Sequence, residues 1–257
     1  MEKYFYVNYG YHEMPSGTPW RLQSFIYNRL HYITKGSGYF MNNNEKMPLT
    51  PGYVYLIPFQ FEYHPCYSEN TQFTHLYVDF LSTQIFNFTS PLIFRADEHR
   101  ALYHALSALA DYLYDDCPRH RGMNKSPEVS LLFNSVMEMI NHYYKINYNN
   151  DDRISAVLQF IQQNYSSDIT LDDMANLVHL EKNYFSKIFK NNIHFSPYQY
   201  LKQYRLAMGY SFLQNGHSVT EAARLSGYNS IYAFSNAIKK HTFYPPQFWI
   251  NHSGSYT

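Results

Sequence analysis

The chain has 257 residues, 45% hydrophobic and 19% aromatic, which is enough apolar material for a packed core. Aromatic residues are scarce in intrinsically disordered chains, so this composition excludes that class. Lys and Arg number 20, as do Asp and Glu, so the formal net charge is zero and bulk charge identifies no partner. Two cysteines are too few for a disulfide framework, and no apolar run approaches the ~18 residues of a membrane span. A cytoplasmic protein without a membrane segment is the expectation.

Residues 4 to about 82 are predicted to form short β-strands. Segments rich in aromatic and β-branched residues, such as 29–33 and 53–57, alternate with turn residues at 35–38 and 50–52. Many short strands at near-regular spacing are typical of a small sandwich or barrel. We therefore expect a β-barrel or jelly-roll domain over residues 1–96.

From Asp97 onward the hydrophobic period becomes helical. Leucines at positions 102, 106, 109 and 113 share one helix face, and Ser126-Pro127 is typical of an N-cap followed by the first helical residue. We expect a helical segment over residues 97–148 with two helices. Residues 147–152 have no apolar period and are interpreted as a linker, followed by an all-helical domain over 152–252. The predicted fold class is α+β with more than one domain.

The second half of the chain repeats itself. Thr170 aligns with Ser218, Ala175 with Ala223 and Leu177 with Leu225 at an offset of 48, and Phe185 with Phe234, Lys190 with Lys239 and Pro197 with Pro246 at 49. Each copy contains a short helix, a tight turn and a second helix, which predicts two tandem helix-turn-helix units. Ser218-Val-Thr-Glu221 is a capping box, and Thr170-Leu-Asp-Asp173 is interpreted as a looser version.

A long helix is predicted to join the two units. It begins at Ser196-Pro197 and runs to about Gln214, so its ~19 residues span ~28 Å. That length is close to the ~34 Å between successive major-groove faces of a DNA duplex. A rigid helix of this length suits a protein that places two recognition helices in adjacent major grooves.

The second half resembles the paired helix-turn-helix domain of the AraC/XylS family of bacterial transcription regulators, over about residues 153–249. The resemblance is carried by Asn183-Tyr-Phe-Ser-Lys-Ile-Phe-Lys190, Ser196-Pro197, Tyr204-Arg205-Leu206, Ala223-Arg-Leu-Ser-Gly-Tyr228, Ala233-Phe-Ser235 and Lys239-Lys-His241, continuing to Pro246. The first half looks like the cupin effector domain of that family, through residues 30–38, 49–52, 56–58 and 74–80. The resemblance implies a DNA-binding regulator controlled by a small molecule, with helices 97–148 pairing two chains into a homodimer.

Candidate DNA-binding residues lie on the second helix of each unit. In the first unit they are Lys182, Asn183, Ser186, Lys187 and Lys190, and in the second Ile231, Tyr232, Ser235, Asn236, Lys239 and Lys240. Asn reads adenine, Lys binds guanine acceptors or phosphate, and apolar groups contact the thymine methyl. Lys190, Lys239 and Lys240 are expected to contact phosphates. From Asp151 onward there are nine basic and seven acidic residues, a net charge of only +2. A monomer is therefore expected to bind DNA weakly. The alternative interpretation of these side chains is an ordinary solvated face.

Several positions depart from the family pattern. His179 stands in the first turn where glycine is frequent, and the Phe-Gly pair after each recognition helix is replaced by Ile193-His194 and Thr242-Phe243. Asn236 replaces a basic residue. Arg205 of the connecting helix is interpreted as an ion-pair partner or a phosphate contact.

The first half offers candidate effector-binding residues. Alignment to the arabinose-binding member of the family implies that Lys35, His75 and Tyr77 face a pocket, with Tyr63 and His64 as weaker candidates. His75 and Tyr77 are two residues apart, so they point to one face of a strand. Such side chains suit a sugar, and a carbohydrate is the expected effector. The alternative is that the aromatic residues only fill the barrel.

No catalytic site, metal site or cofactor is expected. The sequence lacks Gly-x-Ser-x-Gly, Gly-x-x-x-x-Gly-Lys and His-Glu-x-x-His motifs, and His31 has no second histidine at metal-cupin spacing. Cys66 and Cys117 are interpreted as buried free thiols. The expected partners are double-stranded DNA, the effector and a second copy of the chain, with RNA polymerase as a further candidate. The alternatives are a cupin enzyme with a helical appendage, and a helix-turn-helix domain that binds only protein.

Overall fold

A computed structural model describes residues 3–14, 27–43, 45–59, 61–67, 73–116, 126–149 and 151–251. The chain forms two compact units. The first contains the residues up to Leu81 and Phe88–Ile146, and the second contains Ser82–Asn87 and Asn147–Ile250. Cys66 is a half-buried free thiol rather than a buried one, and Cys117 lies outside the described residues.

The first unit is built on two antiparallel sheets, and the predicted β-rich domain is confirmed. In chain order the strands of the described residues are β1 (Tyr4–Met14), β2 (Asn28–Lys35), β3 (Gly38–Asn42), β4 (Glu45–Leu49), β5 (Tyr53–Ile57), β6 (His64–Tyr67), β7 (Phe73–Ser82), β8 (Ile85–Phe86), β9 (Leu92–Arg95) and β10 (Tyr148–Asn149). The larger sheet has the order β1-β7-β2-β5-β9, and the smaller has the order β4-β3-β6. β8 and β10 pair with each other within the second unit.

One face of the larger sheet is covered by the two predicted helices. Successive side chains of a strand point to opposite faces, so Leu30 and Val78, which are directly opposite on β2 and β7, share this covered face. Phe80 of β7 also lies there, with its ring centroid 5.0 Å from that of Phe133 and 5.9 Å from that of Tyr4. The sheet and the helices therefore share one apolar core.

The two helices are α1 (Arg100–Asp116) and α2 (Pro127–Tyr144), after a 3₁₀ turn at Ala96–Glu98. The four leucines of the predicted stripe are fully buried. Ser126 caps α2 by accepting a hydrogen bond from the Val129 amide, and Pro127 occupies the first helical position. The sequence prediction for both helices is confirmed.

The second unit is helical, as predicted. Its helices are α3 (Asp152–Asn164), α4 (Leu171–Leu177), α5 (Lys182–Ile193), α6 (Pro197–Gln214), α7 (Val219–Leu225), α8 (Ile231–Thr242) and α9 (Pro246–Asn251). The 18 residues of α6 span ~27 Å, and twelve of them are buried, which makes α6 the centre of this unit. No helix among the described residues is long and apolar enough to cross a membrane.

Helices α6 and α8 approach closely at Gly209. The ring of Phe234 on α8 lies against this glycine and is fully buried, so that a Cβ at position 209 would overlap it. Ser226 Oγ would lie only 3.0 Å from the same Cβ. A side chain at position 209 would therefore displace α8 from α6.

We expect Gly209→Ala to lower the free energy of unfolding of the second unit by about 2 kcal/mol, because overpacking outweighs the ~1 kcal/mol helix-propensity gain of alanine. Thermal unfolding monitored by circular dichroism at 222 nm measures the change. Lys202→Ala, at an exposed position of the same helix, is the matched control and is expected to be neutral. A Gly209→Ala variant as stable as the parent would contradict this packing.

Candidate nucleic-acid interface and effector site

The two predicted helix-turn-helix units have the same backbone geometry. α4 and α5 form the first unit, and α7 and α8 form the second. In the first turn the Leu180 amide donates to the Ala175 carbonyl at 3.0 Å, and in the second the Tyr228 amide donates to the Ala223 carbonyl at 2.9 Å. Because these pairs are separated by the repeat offset of 48 residues, the sequence repeat corresponds to a structural repeat.

Both units begin with a complete capping box. The Glu221 amide donates to Ser218 Oγ at 3.2 Å while the Ser218 amide donates to the Glu221 carboxylate at 3.1 Å. In the first unit the Asp173 amide donates to Thr170 Oγ1 at 3.2 Å and the Thr170 amide donates to Asp173 at 2.8 Å. The prediction of a looser box at Thr170 is therefore wrong, since the shorter aspartate reaches the same amide. These hydrogen bonds lower the pKa of both carboxylates and keep them ionised near neutral pH.

The replaced glycines of the family pattern lie at left-handed backbone positions. His179 in the first turn has a φ of 55°, and His194 and Phe243 at the ends of α5 and α8 have φ of 64° and 65°. Only glycine adopts this region without a steric cost. The chain therefore has residues other than glycine at three positions whose backbone conformation favours glycine.

Replacing His194 by glycine is expected to stabilise the second unit by about 0.5–1 kcal/mol, because relief of left-handed strain exceeds the added entropy of the unfolded chain. Asn191→Gly, at an exposed position in the last turn of the same helix, is the control and is expected to destabilise slightly, by about 0.3 kcal/mol. Urea unfolding of both variants gives the comparison. Equal losses of stability in the two would refute strain at His194.

Helix α5 buries one face and exposes most of the predicted contact residues. The spacing of Phe185, Ile188 and Phe189 predicts that all three side chains face the core. Phe185 and Phe189 are fully buried, whereas Ile188 is only half-buried. The side chains exposed as predicted are Lys182, Asn183, Lys187 and Lys190. Ser186 is half-buried and donates its hydroxyl to the Lys182 carbonyl at 2.9 Å. Tyr184, absent from the predicted set, is also exposed on this helix.

Two carboxylates, those of Glu181 and Asp172, offset the positive charge at the start of α5. Glu181 is the N-cap and accepts hydrogen bonds from the Asn183 and Tyr184 amides, which lower the pKa of its carboxyl. Lys182 forms an ion pair with Asp172 at 2.7 Å. A phosphate would compete with these carboxylates at the helix start, so Lys187 and Lys190, further along the helix, are better placed to meet DNA.

Helix α8 has a comparable exposed face, and its N-cap is the neutral Ser230. Phe234 and Ile238 are fully buried, and Ser235 is half-buried. The exposed members of the predicted set are Ile231, Tyr232, Asn236, Lys239 and Lys240. Tyr232 is the most exposed large hydrophobic residue of the described chain, at 77%. This face lacks a carboxylate at its start, in contrast to α5.

Among the described residues, Arg205 binds backbone carbonyl groups rather than a carboxylate. Its Nε donates to the Tyr165 carbonyl and its Nη2 to the Ser167 carbonyl, both at 2.7 Å. The structure therefore does not show the ion pair that the sequence suggested, and the phosphate contact stays a prediction. Local sequence could not show the carbonyl contacts, because these partners lie about 40 residues earlier in the chain.

In the first unit, the rings of His31, His75 and Tyr77 lie together on the inner face of the larger sheet, which is the face towards the smaller sheet. His75 and Tyr77 of β7 are buried there, and His31 lies directly across from Tyr77 on β2. The ring centroid of His31 is 5.1 Å from that of His75 and 6.4 Å from that of Tyr77. Phe40 of the smaller sheet lies 5.4 Å from His31, so the rings line the space between the two sheets.

A buried ion pair adjoins these rings. Arg29 binds Asp79 with two hydrogen bonds, of which the one from Nη2 to Oδ2 measures 2.7 Å. Arg29 Nη1 also donates to the Tyr63 hydroxyl at 3.2 Å, and its guanidinium lies 5.2 Å from the Tyr77 ring centroid. Burial raises the pKa of Asp79, and the adjacent guanidinium opposes that rise. The predicted Tyr63 is therefore part of an interior polar network.

The other two predicted effector residues lie outside this cluster of inner side chains. Lys35 at the end of β2 and His64 at the start of β6 both have exposed side chains. Arg29, His31 and Asp79 were not predicted from the sequence as site residues. The two-residue spacing that places His75 and Tyr77 on one face of a strand also places Asp79 there, so this residue could have been found. Among the described residues, no three His, Cys, Asp or Glu side chains are grouped to hold a metal ion.

Comparison with known proteins identifies relatives of both halves. A family model described as a helix-turn-helix domain matches residues 174–252. The lactose operon transcription activator of Staphylococcus xylosus is 27% identical over 225 residues, which cover 82% of this chain and 79% of that protein. The raffinose operon transcriptional regulatory protein RafR of Pediococcus pentosaceus is 23% identical over 238 residues, covering 86% and 83% of the two chains.

A solved structure shares the fold over nearly the whole chain. ToxT from Vibrio cholerae O395, bound to (E)-4-(8-methylnaphthalen-1-yl)but-3-enoic acid, superposes with a TM-score of 0.67 at 12% identity. The match covers 98% of this chain and 99% of ToxT. At that identity the likeness establishes the fold, namely an antiparallel β domain followed by a helical helix-turn-helix domain.

Proposed function

We propose that the chain belongs to the AraC/XylS family of transcription regulators, that its second unit binds operator DNA sequence-specifically, and that its first unit binds a carbohydrate effector. The observation that carries the proposal is the pair of helix-turn-helix units with matching turn hydrogen bonds, joined by a buried 18-residue helix. Two relatives that match more than four fifths of this chain are regulators of the lactose and raffinose operons. No catalytic role is proposed.

In this proposal α5 and α8 enter successive major grooves. Asn183 and Lys187 contact base edges from α5, and Tyr232 and Asn236 do so from α8, with Ser186, Ser235 and Ile231 beside them. Lys190, Lys239 and Lys240 bind phosphates, and Lys182 reaches DNA only by leaving Asp172. The exposure of these lysines and of Tyr232 supports the assignment.

In-vitro selection from a random duplex library tests the DNA-binding proposal. We expect the purified chain to enrich a site with two conserved blocks separated by about one helical turn, ~10–10.5 bp. A single enriched block would mean that only one unit reads bases. Recovery of no consensus above the input library would contradict sequence-specific binding.

The effector is proposed to bind between the two sheets of the first unit. His75, Tyr77 and Tyr63 belong to one buried cluster with His31 and the Arg29–Asp79 pair, which supplies ring faces and hydrogen-bonding groups together. Sugars are bound by this combination, because their C–H faces stack on rings while their hydroxyls bind polar groups. Lys35 and His64 are proposed to act at the entrance.

A melting-temperature screen with lactose, raffinose and galactose tests the effector site. A ligand at 100 times its Kd stabilises the folded protein by about 2.7 kcal/mol, which raises the melting temperature by several degrees. His75→Ala is expected to lose this shift while keeping the parent's circular dichroism spectrum. His104→Ala, an exposed histidine of α1, is the control and is expected to keep the shift. An unchanged shift in His75→Ala would place the effector elsewhere.

Helices α1 and α2 are proposed to pair two chains into a homodimer in the cytoplasm. Their outer faces expose Leu131, Tyr114 and Tyr103, with Leu131 70% exposed. The effector would regulate transcription by changing how the dimer places its DNA-binding units, which requires different affinities for two states. RNA polymerase is the further partner if the chain activates transcription. Light scattering of the parent and of Leu131→Lys measures the dimer, and a monomeric parent would contradict it.

A further inference from the structure

Three segments of the second unit meet at Arg205. Helix α3 ends at Asn164, and the carbonyl of its C-cap residue, Tyr165, has no partner within the helix. Arg205 of α6 donates to this carbonyl and to the carbonyl of Ser167 in the loop leading to α4. The guanidinium also lies where a cation is favoured, at the negative end of a helix. The Arg205 side chain therefore connects α6, which joins the two motifs, to the loop that leads into the first motif.

The turn of the second motif packs on the same point. Gly227 has a φ of 78°, and a Cβ there would lie 2.8 Å from the Tyr165 carbonyl oxygen and 2.9 Å from the Ser166 Cα. The same Cβ would lie 3.0 Å from Arg205 Nε. The second turn thus lies directly against the Arg205 hydrogen bonds.

The first motif shows that φ alone does not require glycine in this turn. Its equivalent residue, His179, has a φ of 55° and an exposed side chain. A histidine occupies this position in the first motif, where the turn faces solvent. A glycine occupies it in the second motif, where the turn lies against the end of α3. Close approach to the Tyr165–Ser167 backbone therefore distinguishes Gly227 from His179.

We propose that the junction of Arg205, the Tyr165–Ser167 backbone and Gly227 fixes the second helix-turn-helix motif relative to the first and so sets the groove-to-groove spacing of the DNA site. Arg205 acts as a positioning residue and makes no contact with DNA. This inference rests on the proposed function, because spacing has meaning only if both motifs bind one duplex.

The test uses the duplex selected with the parent protein, together with versions in which one or two base pairs are inserted between the two blocks. We expect the parent to lose about tenfold or more in affinity with an insertion, since one recognition helix is then misaligned. Arg205→Gln is expected to bind the original duplex about tenfold more weakly and to lose less than about threefold on insertion, because the second motif is no longer held in place. Arg205→Lys, which keeps the positive charge but loses the planar group that reaches both carbonyls, is expected to be intermediate.

Salt dependence separates positioning from phosphate binding. The slope of log affinity against log salt is expected to be unchanged in Arg205→Gln, whereas Lys190→Ala lowers it by about one phosphate contact. Lys202→Gln, on the exposed side of the same helix, is the charge-matched control and is expected to keep the parent's spacing preference. A reduced slope in Arg205→Gln would make it a DNA contact and overturn the proposal.

Gly227→Ala with His179→Ala provides a second pair of variants if Arg205→Gln does not fold. The alanine at 227 is expected to shift or flatten the spacing preference, and the alanine at 179 to leave it unchanged. Folded Arg205 or Gly227 variants with the parent's spacing profile would overturn the inference even where the parent binds a two-block site. Selection of a single block would also overturn the inference, because such a site has no groove-to-groove spacing, whereas recovery of no consensus at all would instead refute the proposed function.

Discussion

Asp79→Ala is expected to lower the free energy of unfolding of the first unit by about 3–5 kcal/mol, the cost of leaving one partner of a buried ion pair uncompensated. The Asp79 side chain is completely buried, and that of Arg29 is 16% exposed. Removing the carboxylate takes away two charge-assisted hydrogen bonds and leaves a guanidinium facing Tyr63 and Tyr77. Differential scanning calorimetry of the full chain measures the loss.

The double variant Arg29→Met/Asp79→Leu is the matched control. Replacing both charges with apolar groups of similar size is expected to restore most of the stability, because such replacements are often nearly neutral. The double variant is nevertheless expected to lose the effector-induced melting shift, since the interior polar network is gone. If Asp79→Ala were as stable as the parent, the pair would not be buried as described.

Lys187→Ala is expected to abolish the preference for the selected site over unrelated DNA. Its affinity for the selected duplex is expected to fall by about 10- to 100-fold. Lys187 is exposed near the middle of α5, away from the Lys182–Asp172 pair and the Glu181 cap. A base contact of this kind contributes about 1–3 kcal/mol of discrimination. Fluorescence anisotropy titration of labelled duplex gives the affinity.

Asn236→Ala is the comparison within the second motif and is expected to weaken binding less than Lys187→Ala. A neutral asparagine adds no phosphate attraction, so its loss affects only the base contact. Affinity for unrelated DNA serves as the internal reference for both variants. Equal specific affinities of Lys187→Ala and the parent would contradict the assigned role of α5.

Much of the helical half was predictable because its signals are local. Ser126-Pro127 and Ser196-Pro197 fix two helix starts within one residue, since the serine hydroxyl and the proline ring act on adjacent backbone. The Ser218–Glu221 capping box is equally local. Together with the repeat of the first motif, it predicts the second motif correctly. The buried positions of α5 follow from period alone, with only Ile188 misjudged.

The interior of the sandwich was harder to predict, because it depends on pairing between distant strands. Arg29 meets Asp79 across 50 residues, and the register of β2 against β7 decides that contact. Sequence spacing placed His75 and Tyr77 on one face, but it could not show that His31 lies opposite them. The same limit explains Arg205, whose partners are backbone carbonyls that carry no residue-specific signal.

Sequence-specific DNA binding under effector control is tested most directly by anisotropy of the purified full chain on its selected duplex. The titration is run at two salt concentrations, with and without the sugar that raises the melting temperature, and with unrelated DNA as competitor. We expect tight, salt-sensitive binding that survives the competitor and changes in affinity when the sugar is added. Binding no stronger than to the competitor, with and without sugar, would contradict this expectation.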